Sequence, residues 1–287
     1  MIDLHVESSL SGMGAFPSAL MGRAARAGAT VVGLADRLTV DGIDVAHRAL
    51  PAELTLIPAV TVPCAVLVAD QERTIDLRGY LINSGDRPLL DLLAEARRHR
   101  EQRAQRMVSC LASDYPTLTW HRVAQLAPRQ IPGRPHIACA LVQVGLVTSL
   151  REAYSPQWLG AEGRYFEPKR QPPVEQVLAV IRAAGGAPVL GRPRRRHHVQ
   201  LTASQIATLQ AAGLVGLEVD HPSNPRPARE ALRRIAAILD LIVTGGSGSR
   251  GHRADDAIPI GAETTSHAMY ERLITAATGT RPIASQR

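Results

Sequence analysis

Ile2-Asp3-Leu4-His5-Val6-Glu7-Ser8-Ser9 opens the chain with short apolar β-formers that run into a polar cluster led by a histidine. A buried parallel strand that delivers side chains to a site at its C-terminal end has this form. Further on, a rhythm of helix, glycine and strand takes over. Pro17 to Ala27 reads as a helix, followed by Gly28 and the strand Thr30-Val31-Val32-Gly33-Leu34. Pro173 to Ala184 precedes Gly185-Gly186 and Pro188-Val189-Leu190, and Thr202 to Ala212 precedes Gly213 and Gly216-Leu217-Glu218-Val219. Pro227 to Leu239 leads into Leu241-Ile242-Val243-Thr244. Glycine after a helix supplies the left-handed residue that ends it, and brief β-branched runs suit strands buried on both faces. Repetition of such units predicts an α/β protein, either a barrel or a doubly wound sheet.

Between residues 88 and 170 the rhythm stops. Leu89 to Ala112 reads as a long Arg-rich helix, and Trp120 to Leu126, Pro135 to Val144 and Leu150 to Leu159 read as shorter ones. The expected organisation is a barrel of residues 1–87 and 171–287, capped by a helical insertion of residues 88–170. Leu54 to Val62, Ala65 to Ala69 and Thr74 to Leu81 read as three strands, the last two a hairpin around Asp70-Gln71-Glu72. Thr265 to Ala277 reads as a closing helix that packs Ala268, Tyr270, Leu273 and Ile274.

A chain of 287 residues, 45% hydrophobic, can bury one large core. No apolar run reaches membrane-spanning length, and Asp3 and His5 interrupt any signal-like start, so a cytoplasmic protein without a membrane partner is expected. Cys64, Cys110 and Cys139 lack C-x-x-C spacing and suit a reduced setting. The formal net charge is +7, and Lys169 is the single lysine among 33 basic residues. That bias reads either as the mark of a GC-rich genome or as preparation for an anionic ligand. Aromatics at 3% leave little for stacking bases. Gly246 to Gly251 matches G-x-G-x-x-G, but the proline-containing His252 to Gly261 does not read as the helix a dinucleotide site needs.

Matching segments along nearly the whole chain resemble the PHP (polymerase and histidinol phosphatase) family. They are Ile2–Ser9, Pro17 and its helix, Leu34-Ala35-Asp36-Arg37-Leu38-Thr39, Gly133-Arg134-Pro135-His136-Ile137-Ala138, Ala183-Ala184-Gly185-Gly186, Val189-Leu190-Gly191-Arg192-Pro193 and Val243-Thr244-Gly245-Gly246-Ser247. The resemblance implies a distorted seven-stranded β/α barrel with a helical insertion. It also implies a phosphoesterase that acts on nucleotides or short RNA with two or three divalent metals (Mn, Mg, Fe or Zn) at the strand ends.

Position by position, the family's metal site is largely replaced. Its D-L-H-x-H-S followed by S-D-G keeps His5 but has Glu7 for the second histidine and Gly12 for the aspartate. T-D-H-D-T reads Ala35-Asp36-Arg37-Leu38-Thr39, and P-G-x-E reads Pro58-Ala59-Val60-Thr61. A hairpin-strand histidine is Asp76, A-H-P reads Gly191-Arg192-Pro193, and S-D-x-H-G reads Ser247-Gly248-Ser249-Arg250-Gly251. Arginine has no lone pair to donate, and zinc, iron and manganese need imidazole, thiolate or carboxylate. No resident cofactor is expected, beyond at most one weakly held ion on His5, Glu7 and Asp76, with Asp36 as a further carboxylate nearby and His136, His221 and His252 as further imidazoles.

The phosphate-binding side of the resemblance is better kept. Arg134 and His136 retain R-P-H, and Lys169 follows Tyr165-Phe166-Glu167-Pro168. Arg100, Arg103 and Arg106 share one helix face, which is either solvated or lines a substrate channel. Arg37, Arg192 and Arg250 are either drift in an Arg-rich chain or guanidinium forks that hold phosphate without metal. The run Arg192 to His198 reads as an exposed loop open to RNA phosphates. The expected function is that of a PHP phosphoesterase-like protein, catalytically impaired or inactive, that holds a phosphorylated small molecule or short RNA. The alternatives are an active phosphoesterase or exonuclease with a reduced metal site, and a basic RNA-binding module.

Overall fold

The computed structural model describes residues 1–12, 14–128, 130–161, 163–194, 199–251 and 258–285; His252 and the basic residues 195–198 lie outside them. The chain alternates strands and helices: β1 (Ile2–Val6), α1 (Pro17–Arg26), β2 (Val31–Arg37), α2 (Gly42–Arg48), β3 (Thr55–Val68) and β4 (Gln71–Tyr80). Then come α3 (Arg87–Asp114), α4 (Trp120–Gln125), α5 (Arg134–Gln143) and α6 (Leu150–Ala153). The remainder is α7 (Val174–Ala183), β5 (Ala187–Gly191), α8 (Ala203–Ala211), β6 (Gly216–Asp220), α9 (Arg226–Ile238), β7 (Ile242–Gly245) and α10 (His267–Ala276).

One sheet takes all seven strands in sequence order. Neighbours are parallel except around β4, which runs antiparallel to both β3 and β5. Past β7 the chain returns to β1: Glu7 N donates to Ser249 O at 2.9 Å and Gly248 N to His5 O at 2.8 Å. The result is the seven-stranded, nearly closed barrel with surrounding helices that the resemblance implied. By compactness the chain divides into two units, Met1–Leu93 with Pro172–Arg287, and Ala94–Gln171.

Strand residues alternate between two buried faces. Val32, Leu34, Leu54 and Leu56 pack with Leu20, Met21 and Ala24 of α1 and Ala46 of α2. Val31, Ala35, Ile57, Ala59, Tyr80, Ala187 and Val189 form the opposite cluster. Period-two alternation from Tyr80 puts Arg78 and Asp76 on that same inner face. Because β4 is reversed, Asp76 lies beside Gly191, at the C-terminal end of β5. The helical unit has its own core, in which Met107, Leu111, Ile137 and Leu141 are fully buried.

Three expectations from the sequence need correction. Ala65–Ala69 is not a separate strand: β3 runs unbroken through Pro63. Ala65 N donates to Pro172 O, away from β4, so by alternation the missing N–H of Pro63 also falls on that edge, past the end of β2. The hairpin turn is Ala69-Asp70, both with positive φ, rather than Asp70 to Glu72. Helix α6 stops at Ala153 instead of reaching Leu159, since Pro156 disfavours helical backbone at Ser155. Among the described residues, no helix is long and apolar enough to cross a membrane.

Candidate functional site

The barrel's strand ends bring together residues far apart in sequence. Glu7 follows β1, Arg37 ends β2, Asp76 and Arg78 stand on β4, Arg192 follows β5, Glu218 and His221 belong to β6 and the turn after it, and Arg250 follows β7. Three of the acids, Asp76, Glu7 and Glu218, meet guanidiniums. Asp76 accepts from Arg37 NH1 (2.9 Å) and NH2 (2.8 Å) and from Arg192 NH2 (2.5 Å). Glu7 Oε2 accepts from Arg250 Nε (3.0 Å) and NH2 (2.7 Å). Glu218 Oε2 lies 2.8 Å from Arg78 NH1 and accepts the backbone N–H of Arg192 at 2.9 Å. The Arg78–Glu218 contact is close but poorly aligned for a hydrogen bond, so it acts through charge.

The charges shift accordingly. Burial alone would raise the carboxyls of Glu7 and Asp76. For Glu7 the hydrogen bond and charge of His5, then Arg250, outweigh burial; for Asp76, Arg37 and Arg192 do so, and both acids sit well below the usual carboxylate range. Asp36 differs. It is wrapped by Ser8 N (2.5 Å), Ser8 Oγ (2.6 Å) and Ser11 Oγ (3.0 Å), and burial still pushes its carboxyl up to about 6.

Glycines make room for the arginines. A methyl group on Gly191 would overlap the Arg78 guanidinium, and one on Gly12 would lie 3.2 Å from that of Arg250. Gly248, at φ +67°, would place a Cβ 2.5 Å from His221 Nε2. Where the family pattern has aspartate at positions 12 and 248, this chain has no side chain, and arginine or histidine occupies the space. Thr61, at the glutamate position, is fully buried and donates to Ala35 O at 2.8 Å instead of facing a ligand.

The possible metal ligands are not the ones expected. The expected trio of His5, Glu7 and Asp76 does not converge; among the described residues, the group of possible ligands that does is His5, Glu218 and His221. His221 Nδ1 accepts the backbone N–H of Ser223 at 3.0 Å, so in the neutral ring the proton must sit on Nε2. Burial, against the charge of Glu218, lowers this imidazole to about 3, which favours the neutral ring with its proton on Nε2. His5 is blocked as well: Arg78 NH2 lies 2.9 Å from its Nδ1 and 3.1 Å from its Nε2. A cation bound there would face a guanidinium at contact distance.

The residues expected on the phosphate side lie in the helical unit. Arg103 Nε donates to Glu167 O (2.6 Å) and Arg106 Nε to Glu167 Oε2 (3.3 Å), and the buried Arg103 NH2 has no hydrogen-bond partner among the described residues. Burial and the charges of Arg134 and Arg106 lower the Arg103 pKa, which marks a crowded set of cations. Arg134 lies over the Tyr154 ring at 5.0 Å, and Lys169 is exposed. His136 is occupied otherwise: its Nδ1 accepts from Gly133 N at 3.2 Å, capping α5, and its Nε2 faces Gln130.

No family model matches the sequence. A protein described as a metal-dependent phosphoesterase from Bifidobacterium adolescentis, known by crystal structure, is 30% identical, with 96% of each chain covered and a TM-score of 0.80. The chain belongs to the PHP family. A 5'-3' exoribonuclease of Haemophilus influenzae is 27% identical over 247 residues, which span 85% of this chain and 88% of that protein. An amidohydrolase of Chromobacterium violaceum, solved with bound sulfate and no metal, shares the fold at 21% identity, with 97% of each chain covered and a TM-score of 0.80. Against this PHP frame, sequence reasoning missed Arg78 and Glu218. Glu218 had a readable signal, a charge in the middle of the short apolar run Leu217-Glu218-Val219, whereas Arg78 stands in a strand that also carries Glu72, Arg73 and Asp76 and had none.

Proposed function

We propose that this PHP protein has exchanged its catalytic metal cluster for a guanidinium cluster, and that it holds a phosphorylated ligand, a nucleotide or short RNA, without the turnover of metal-dependent relatives. One observation carries the reading: Asp76 and Glu7, the acids left at the strand ends, are engaged by Arg37, Arg192 and Arg250, which stand at ligand positions of the family pattern. Metal coordination can lower the pKa of water from about 15.7 to about 7. Without it, at about 1.4 kcal/mol per unit, roughly 12 kcal/mol of hydroxide availability is forfeited, partly offset by the greater reactivity of free hydroxide. A general base replaces only about 3–5 kcal/mol of this.

The ligand half of the reading is supported by Arg103, Arg106, Arg134 and Lys169 in the helical unit, with His136 holding the start of α5 beside them. The names of the Bifidobacterium and Haemophilus relatives indicate the same ligand chemistry. The Haemophilus protein favours a second reading, an active phosphoesterase or exonuclease with a reduced metal site. Metal analysis of purified protein, beside phosphate release from a nucleoside 3′,5′-bisphosphate with added manganese, separates the two. The proposal expects substoichiometric metal and no stimulation; stoichiometric metal with stimulated release establishes the second reading.

A further inference from the structure

Resting on the proposed loss of the metals, we infer that the barrel's strand ends form an oxyanion site of their own, in which Arg37, Arg192, Arg250 and the Nε2–H of His221 capture a phosphate monoester or inorganic phosphate without metal. The charges there are layered. The side chains of Glu218, Glu7 and Asp76 are 1%, 3% and 9% exposed, whereas those of Arg192, Arg37 and Arg250 are 14%, 21% and 41% exposed. An ion arriving from solvent therefore meets guanidinium before carboxylate. Arg37 and Arg192 meet on Asp76, so two of the three forks are contiguous. Four guanidiniums, with Arg78 counted, stand against Glu7, Asp76 and Glu218, with Asp36 beside Glu7 as a fourth acid.

Unspent donors point the same way. Arg192 Nε and His221 Nε2 are buried without a hydrogen-bond partner among the described residues. Buried N–H groups left unmade are unfavourable, and the complement to such unspent donors is an acceptor with many lone pairs, which a phosphoryl group is. The turn that binds Ser223 N to His221 Nδ1 fixes that imidazole as a donor. The same groups that disqualify the site for a cation qualify it for an anion.

The test is calorimetric titration in EDTA with inorganic phosphate and, separately, a nucleoside monophosphate, at constant ionic strength. Binding of both, weakened at least about tenfold in Arg192→Lys and in Arg250→Lys but unchanged in the surface control Arg87→Gln, is the expected result. Lysine keeps a charge opposite Asp76 or Glu7, so these variants should fold; Arg250→Gln, checked for folding by circular dichroism, provides a second probe. No heat with either ligand at millimolar concentration overturns the site. So does binding that Arg103→Gln abolishes and the lysine variants leave intact, although the proposed function then stands. Manganese-stimulated turnover beside intact phosphate binding in EDTA would overturn the proposed loss of catalysis and leave the arginine site in place.

Discussion

Replacing Arg78 by methionine tests the network at its deepest point. Arg78 is fully buried, and its partner Glu218 has a side chain 1% exposed at 2.8 Å. Removing one member of such a pair typically costs about 3–5 kcal/mol, because the other is left charged in a dry interior. Glu218 has one escape, which is to take up a proton. At pH 7, against an ordinary value of 4.5, that costs about 3.4 kcal/mol at about 1.4 kcal/mol per pH unit. At pH 5 the same step costs about 0.7 kcal/mol.

The sign of the pH dependence follows. In the parent protein burial tends to raise the Glu218 carboxyl, but Arg78, with His5, outweighs it and holds the carboxyl well below 4.5. Its contribution to stability is therefore present above pH 4.5 and lost as pH falls below it. With Arg78 gone burial dominates, the carboxyl rises above 4.5, and its contribution is lost as pH rises. The deficit of Arg78→Met should thus shrink by more than about 2 kcal/mol between pH 7 and pH 5. Urea unfolding followed by far-UV circular dichroism measures it; fluorescence would be the wrong probe, since Trp120 and Trp158 both lie in the helical unit. The double variant Arg78→Met/Glu218→Gln should recover more than half of the loss. A deficit below about 1 kcal/mol at pH 7, or one that does not change with pH, would refute the reasoning.

Gly191→Ala should lose about 3–5 kcal/mol by displacing the Arg78 guanidinium from the space it fills, and that loss should not add to that of Arg78→Met. Additive losses in the double-mutant cycle would show that the two positions are independent. Asp36, raised by burial from 3.8 to about 6, contributes stability below pH 3.8 that is lost as pH rises through about 6. Asp36→Asn should flatten the stability profile across that interval, and a carbon-13 titration of the carboxyl with a midpoint near 4 would rule this out.

The barrel was legible because its evidence is local and repeated. Strand runs such as Val189-Leu190 and Leu217-Glu218-Val219 sit one short turn after a helix, and Gly213 takes φ +108° where α8 ends, as a helix-terminating glycine should. Helix α2 escaped notice because seven residues give too few turns for a periodicity to show. Pro63 looked like a break because sequence does not reveal which edge of a strand lacks a neighbour. The site was half legible. Arg37, Arg192 and Arg250 stood out through family spacing, but their partners did not: Arg250 reaches back to Glu7 across the length of the chain, and Arg192 to Asp76 on an antiparallel strand whose register only folding fixes. Arg78 carried no motif, and only its burial announces it.

Those pairings bear on whether the arginines are drift. A random surplus of arginine would leave guanidiniums splayed into solvent, and the acids behind them unmatched. Here Glu7, Asp76 and Glu218 are all buried, and each has a guanidinium within 2.8 Å. Two of those guanidiniums also lie against glycines: Arg78 at Gly191 and Arg250 at Gly12. Buried carboxylates cannot remain ionised side by side without cations, whether these are metals or guanidiniums. A barrel with neither would be strongly destabilised, so the proposed loss of the metals and the presence of the arginines are linked energetically. For the same reason the exchange does not reverse one residue at a time. Restoring histidine at position 37 alone removes the bidentate partner of Asp76 while Arg192 and Arg78 still repel any ion, and aspartate at position 248 meets both a left-handed backbone and the His221 ring. Metal affinity should return only when the arginines and the glycines beside them are replaced together.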